Sequence, residues 1–517
     1  MKTRINHIRW GIILNYISLL VNILFSIFYT PLMLRILGAG EHGLYSTVSS
    51  AMSWLGLLGL GIGSSYIYFY ARYDKDNNKD AIGSLNGLFL TIFIVIGAVS
   101  LVCGLFIANH LPAVFANGMT EAEYKTARIL AFILTVNISI GFPASIFNGI
   151  IRAHERYVQV KLVSLFQNIC TPLITLPLLL MGYGSIGMVA VTTAVNLVAY
   201  TFNAVYCFRR LGIQLRFTGF EKGIMKAIFG YSAFIALESL ISQFSTGLDK
   251  IFITRYWNTA AASVYAIGYS LYSYYEAFAG AMTGMFVARI QKITARLQDD
   301  QRSLRESLTH EFIRLGRIQF LIQMLMLFGI LFFGRTFIHL WAERGGQDYK
   351  DSYSVALLLC ASRTIPLLQN IGWVIQRAQN KHRFRTLFYA VMTLMNVVLT
   401  MILCRQYGPI GAAVGTAISY VVVDVVVMNI YYEKALHIDI SAFWKEIAHM
   451  SRGLLIPFAA GVCLWRAQSD WSVGVFIAAI FGYSAIYAIS MALLAMNREE
   501  KELCRDCLRK IKRGLGR

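Results

Sequence analysis

Residues 84–109 read SLNGLFLTIFIVIGAVSLVCGLFIAN, a run of 26 residues without one charged side chain. Coiled at 1.5 Å per residue, such a run reaches further than the roughly 30 Å of a bilayer's hydrocarbon core. Comparable runs recur from Gly11 to Leu494 in a chain of 517 residues that is 57% hydrophobic and only 14% charged. A water-soluble globular fold is excluded, because it would leave most of this apolar surface in water.

Working outward from that stretch, we place spans at 11–36, 43–71, 84–109, 126–151, 160–181, 185–208, 225–255, 262–288, 315–341, 352–376, 384–404, 410–432, 453–468 and 473–496. With the N-terminus inside, the inner segments hold 36 Lys and Arg and the outer ones 10, while Arg363 lies within a span. One span more or fewer would change the side of every later loop, so this asymmetry argues for fourteen spans with both termini cytoplasmic. Lys2, Arg4 and Arg9 before the first span resemble a signal peptide, but the apolar run is too long and has no cleavage site, so it reads as an uncleaved helix. The net charge of +20 is spread between spans in no separate basic domain, which argues against a nucleic-acid partner. The tail 498–517 reads as an amphipathic helix on anionic membrane lipids, or as a solvated positive segment that fixes topology. Eight scattered cysteines form no disulfide framework, and the one CxxC, Cys504 and Cys507, lacks the second pair that a metal site needs.

An internal repeat organises the spans. Arg35 and Tyr45 recur as Arg255 and Tyr265, Ile151-Arg152-Ala153 as Gln376-Arg377-Ala378, and Tyr183-Gly184-Ser185-Ile186-Gly187 as Tyr407-Gly408-Pro409-Ile410-Gly411. The matches fall at equivalent helix ends of spans one to six and seven to twelve. The expected fold class is therefore an all-α polytopic membrane protein with two parallel six-helix repeats forming two lobes (1–210 and 211–437), an added helix pair (438–497) and the basic tail (498–517).

The stretches Tyr29–Ser46 (YTPLMLRILGAGEHGLYS), Leu248–Tyr269 (LDKIFITRYWNTAAASVYAIGY) and Arg152–Tyr157 (RAHERY) resemble the polysaccharide transporter family of the multidrug/oligosaccharidyl-lipid/polysaccharide exporter superfamily, whose O-antigen members are Wzx flippases. The resemblance implies a bacterial inner-membrane protein with a central cavity that opens alternately to either side. It also implies a cargo of undecaprenyl-diphosphate-linked oligosaccharide, coupling to transported H+ or Na+ with no bound cofactor, and a place beside the polysaccharide polymerase machinery.

Ionisable groups inside spans are few, and each costs about 2.5–3.5 kcal/mol on insertion scales, so they face a cavity or a partner. Glu238 and Glu276 lie at one depth in spans seven and eight. They either share a coupling proton, since two poorly solvated like charges repel, or bond separately to neighbours. Tyr265, Tyr269, Tyr272 and Glu276, spaced 4, 3 and 4, form one stripe that lines a sugar path or packs the helix. Arg363, near mid-membrane, is a candidate phosphate or sugar-acid contact, or else the ion-pair partner of a glutamate. Arg35, Lys250 and Arg255 lie near outer span ends, where they contact substrate or snorkel to the interface. Asp249, beside Lys250, neutralises it or joins Asp424 as an ion-site candidate. Gly56, Gly59, Gly61 and Gly63 permit close helix approach in span two and are no phosphate loop, because no GK[ST] follows.

Other readings weigh less. There is no Walker A motif, all nine histidines fall in loops or near span ends, and the long outer loop of a polymerase is missing, which disfavours a membrane-embedded acyltransferase or polymerase. A cation-coupled drug antiporter would have twelve spans, and a flippase for cell-wall lipid precursors fits the same residues.

Overall fold

The computed structural model describes residues 2–59, 61–75, 78–115, 118–218, 223–297, 299–343, 348–379, 381, 383–468, 471–502 and 505, and these contain no strand. The helices are α1 (Lys2–Ser53), α2 (Ile62–Lys75), α3 (Lys79–Asn109), α4 (Leu111–Phe115), α5 (Glu121–Ala153), α6 (Tyr157–Leu180), α7 (Gly184–Arg210), α8 (Ile224–Tyr256) and α9 (Thr259–Arg296). They continue with α10 (Gln301–Trp341), α11 (Lys350–Leu368), α12 (Ile371–Ala378), α13 (Arg383–Tyr420), α14 (Met428–Lys434), α15 (Ile440–Ser451), α16 (Leu455–Arg466) and α17 (Val473–Leu494).

Among the described residues, eight helices are each long and apolar enough to cross a membrane, or nine if α11 and α12, bent by 44°, are taken as one span. The chain is an all-α multi-pass membrane protein. The figure of fourteen rests on the charge pattern. Several expected spans are broken ones: 43–71 comprises the end of α1, a 3-10 stretch Trp54–Gly59 and α2, with Gly61 at φ 82° between the last two. α1 breaks at Gly38 and α13 at Gly408.

Contacts divide the chain into two compact units, Met1–Ala266 with Cys404–Pro409, and Ile267–Leu403 with Ile410–Arg517. α8 falls in the first because it packs on α1, α2 and α4, whereas the sequence repeat divides the chain at 210, between α7 and α8. One repeated pair has the same backbone task in both copies. Gly184 (φ 55°) and Gly408 (φ 58°) each occupy the left-handed region, which L residues with a Cβ avoid.

In the first unit, α3 packs tightly on α5. A Cβ at Gly97 would lie 2.6 Å from the Ser139 carbonyl oxygen, and one at Gly104 2.3 Å from the Thr135 side chain. Lipid tails are as apolar as leucine, so helix association depends on such close approach and on interhelical hydrogen bonds. Of the four span-two glycines, Gly59 and Gly61 are hemmed in by Phe142 and the Ser232 backbone, while Gly56 and Gly63 face open space. Large apolar side chains such as Phe28, Leu180 and Phe481 are about 70% exposed, as expected where lipid is the solvent.

In the second unit, α10 packs against α11, α12, α15, α16 and α17, around a core that includes Phe312, Phe328, Phe332 and Phe333. α15 is a short helix that the sequence reading left out of its spans. It buries Ile440, Phe443, Ile447 and Met450 along one side and is capped by Asp439, which accepts from the Ala442 N–H at 2.8 Å. Arg317 on α10 is buried and donates to Glu500 (2.7 and 3.0 Å), to Glu446 of α15 and to the Ala495 carbonyl at 3.0 Å. These bonds fix the start of the tail; 503–504 and 506–517, with Cys504 and Cys507, lie outside the described residues.

Gly43 lies in α1 beyond its break, and a Cβ there would stand 1.6 Å from the Thr259 carbonyl oxygen. Gly43→Ala is therefore expected to cost about 2 kcal/mol or more, and Gly56→Ala less than about 0.5 kcal/mol. Thermal unfolding of the two variants in one detergent checks the contrast.

Candidate functional site

Arg363 lies in α11 and is 15% exposed at its side chain. An isolated guanidinium in the apolar region would be costly, so neighbours must neutralise it. Its Nη2 donates to Glu276 Oε1 on α9 at 2.9 Å and its Nη1 to Asp424 Oδ2 at 3.0 Å. Its guanidinium carbon sits 4.5 Å from the centroid of the Tyr420 ring, a geometry that adds cation–π attraction.

Asp424 is brought there by a departure from ordinary helix. Val421–Val427 (VVVDVVV) forms a π-helical turn between α13 and α14, and such turns recur at functional sites. Asp424 is 4% exposed, and its other oxygen accepts from the Tyr389 hydroxyl. That hydroxyl in turn accepts from Arg385 Nη2 at 2.9 Å. The cluster thus holds two arginines and two carboxylates, and its formal charges cancel.

The two acids differ in access. The Glu276 side chain is 42% exposed and that of Asp424 4%. A cavity of about 190 Å³ adjoins them, lined also by Gly280, Gln369 and Asn370. At about 30 Å³ per water it has room for a few waters, an ion or a phosphate, and is too small for an oligosaccharide. Within the cluster, Arg363 Nε is buried and has no partner among the described residues, one donor in reserve.

The structure thus gathers Arg363, Glu276 and Asp424 from the sequence candidates and adds Arg385 and Tyr389, which sequence reading missed. Arg385 could have been noticed only as a basic residue at an inner span end. The side chain of Glu238 lies outside the described residues, and Glu276 pairs with Arg363. Along the tyrosine stripe, Tyr265 and Tyr272 are only 1% and 2% exposed, so Tyr269 and Glu276 keep the accessible surface. Tyr269 packs against Tyr272 with ring centroids 5.4 Å apart. Asp249 is buried and accepts from the Tyr265 hydroxyl. Lys250 is half-buried, and Arg35 and Arg255 are exposed.

The first unit contains a larger polar cleft, about 460 Å³, built on α2, α5, α6 and α7. Ser145, Asn148, Ser164, Gln167 and Asn203 line it, Arg152 is its one charged residue, and Asn203 Oδ1 is buried without a partner. Neutral amides and hydroxyls carry no charge signal, and for that reason sequence reading passed over this cleft.

Removing Arg363 would leave Asp424 buried without a direct ion-pair partner, with Arg385 reaching it only through the Tyr389 hydroxyl. Arg363→Met is expected to cost about 3–5 kcal/mol, and Arg363→Met/Asp424→Asn to recover much of that loss. Melting temperatures of single and double variants in detergent measure the coupling, and equal values would show that the ion pair is not what the stability depends on.

A family described as polysaccharide biosynthesis protein matches residues 32–354. No curated protein matches the chain in sequence. Among solved structures, the lipid II flippase MurJ in an inward closed conformation superposes with a TM-score of 0.70 at 15% identity, covering 93% of this chain and 98% of that one. An inward-facing multidrug resistance MATE transporter of the MOP superfamily gives 0.63 at 15% identity, covering 79% and 96%. A MOP superfamily transporter from Pyrococcus furiosus, described by the reverse polarity of its binding pocket, gives 0.57 at 16% identity, covering 80% and 93%.

Proposed function

The chain belongs to the polysaccharide biosynthesis protein family, and from that membership we propose that it is a flippase carrying lipid-linked oligosaccharide units across the bacterial inner membrane by ion-coupled alternating access. The observation that carries the coupling is the Arg363 cluster, in which one guanidinium inside the apolar region is shared by an accessible acid and a buried one. Asp424 is the fixed counter-ion and Glu276 the exchangeable one. With the four charges balanced, the cluster has no net attraction for an anion. A proton on Glu276 frees Arg363 Nη2 and leaves a net positive charge beside the cavity, where a phosphate of the cargo could be bound by charge-assisted hydrogen bonds. The amide- and hydroxyl-lined cleft of the first unit suits sugar hydroxyls.

Coverage supports a flippase over a drug antiporter. MurJ spans 93% of this chain and the MATE structure 79%, in keeping with a helix pair beyond a twelve-span antiporter. The same likeness favours one second reading, a flippase for a cell-wall lipid precursor.

The test deletes the gene and quantifies lipid-linked oligosaccharide on the cytoplasmic face, with wild type or Glu276→Gln restored. Accumulation relieved by wild type and not by Glu276→Gln is the expected result. Relief by both would keep the flippase and dismiss Glu276 as the coupling acid. No accumulation, with surface polysaccharide intact and resistance to cationic drugs lost, would replace the flippase by an antiporter; accumulation of the cell-wall precursor would establish the second reading.

A further inference from the structure

A cleft of about 700 Å³ lies in the second unit between the last turns of α10 and the connection from α16 to α17. The charge asymmetry of the loops puts this end of both helices on the outer side. Two arginines from separate elements enter the cleft: Arg335, about two turns from the end of α10, and Arg466, the last residue of α16. Neither has an ion-pair or hydrogen-bond partner among the described residues. Glu343 is occupied otherwise, accepting from His339 Nδ1 at 2.8 Å and from the Tyr349 N–H at 3.2 Å.

The cleft is also preformed. Gln468 ties the α16–α17 connection to α10, accepting from the Thr336 hydroxyl at 2.7 Å and donating to the Phe332 carbonyl at 2.9 Å. Trp465 and Trp471 flank it, and tryptophan concentrates at the depth of lipid headgroups. Two guanidinium groups without a partner among the described residues, at that depth, call for an anion with several acceptor oxygens, and the abundant anion there is a lipid phosphate.

We infer that this cleft is a binding site for the phosphate of an anionic glycerophospholipid of the outer leaflet, held by Arg335 and Arg466. The site is separate from the Arg363 cluster and does not depend on what the protein transports.

Native mass spectrometry of the full-length protein released from detergent, with phosphatidylglycerol and phosphatidylcholine as probes, tests it. Wild type is expected to retain phosphatidylglycerol about tenfold better than phosphatidylcholine, and Arg335→Gln/Arg466→Gln to lose that preference. Arg335→Lys/Arg466→Lys should keep most of it. If the double Gln variant does not run as a single species on size exclusion, Arg466→Gln alone, at the helix end, is expected to lower retention about threefold. Undiminished retention by a folded Gln variant, or no preference in wild type, overturns the inference. Displacement of phosphatidylglycerol by a lower concentration of polyprenyl diphosphate overturns it too, because the cleft would then be a cargo subsite.

Discussion

Hydrocarbon offers a peptide group no hydrogen-bond partner, and this constraint governs every element of the chain. Long helices answer it by closing their own bonds, which is why no strand occurs among the described residues. Three of the breaks fall where backbone can turn cheaply, at Gly38, Gly61 and Gly408 with positive φ. The same solvent removes the hydrophobic drive between helices, so packing rests on close approach. Gly97 and Gly104 let α3 meet α5, and Gly43 lets α1 meet the first turn of α9.

Charge obeys the constraint more strictly. Arg363 exists at its depth because Glu276 and Asp424 face it from two other elements, and Asp424 is in turn held by Tyr389. A buried ion pair is weak support for stability, since apolar replacements of the same volume often do as well. Four charged groups and a π-helical turn are gathered at one place, and the proposed function uses them as a device for changing charge. Arg317 is the contrast. Its three partners, Glu446, Glu500 and the Ala495 carbonyl, tie α10, α15 and the start of the tail together, a fastening in the ordinary sense.

The sequence disclosed whatever depends on one-dimensional pattern. Runs such as 84–109 announce helices by length and apolarity alone, and Gly184 and Gly408 were visible as a repeated pair whose shared left-handed backbone explains the repetition. Arg363, Glu276 and Asp424 stood out because a charge in an apolar run is conspicuous. An Arg363–glutamate pair was one of the readings the sequence left open, but that Asp424 joins it was not legible, because their meeting depends on the crossing of α9 and α11 with the π-helical turn. For Glu276 the sequence left two partners open, Glu238 or an arginine, because equal depth on adjacent helices does not fix which way a side chain faces; it pairs with Arg363. α15 escaped because Lys445, Glu446 and His449 interrupt its apolarity, although Ile440–Arg466 together is long and apolar enough to cross a membrane, and the cleft around Asn203 because amides leave no mark in a hydropathy pattern.

The charge balance of the cluster separates transport of an anion from transport of a cation by the sign of a linkage. For a cargo bearing phosphate, a proton on Glu276 releases Arg363 and turns a neutral site positive, so proton and cargo favour the same state of the site. For a cationic drug the relation reverses, because drug and proton would compete for the same carboxylate. Linkage is reciprocal: each ligand must change the affinity of the other by the same factor. An anionic cargo should therefore bind with uptake of a proton and a cationic one with its release. Fold likeness bears on this distinction only through the share of the chain covered, since flippase and antiporter share the architecture, whereas in the role proposed for them the two arginines and two acids around a 190 Å³ cavity would give it a definite sign.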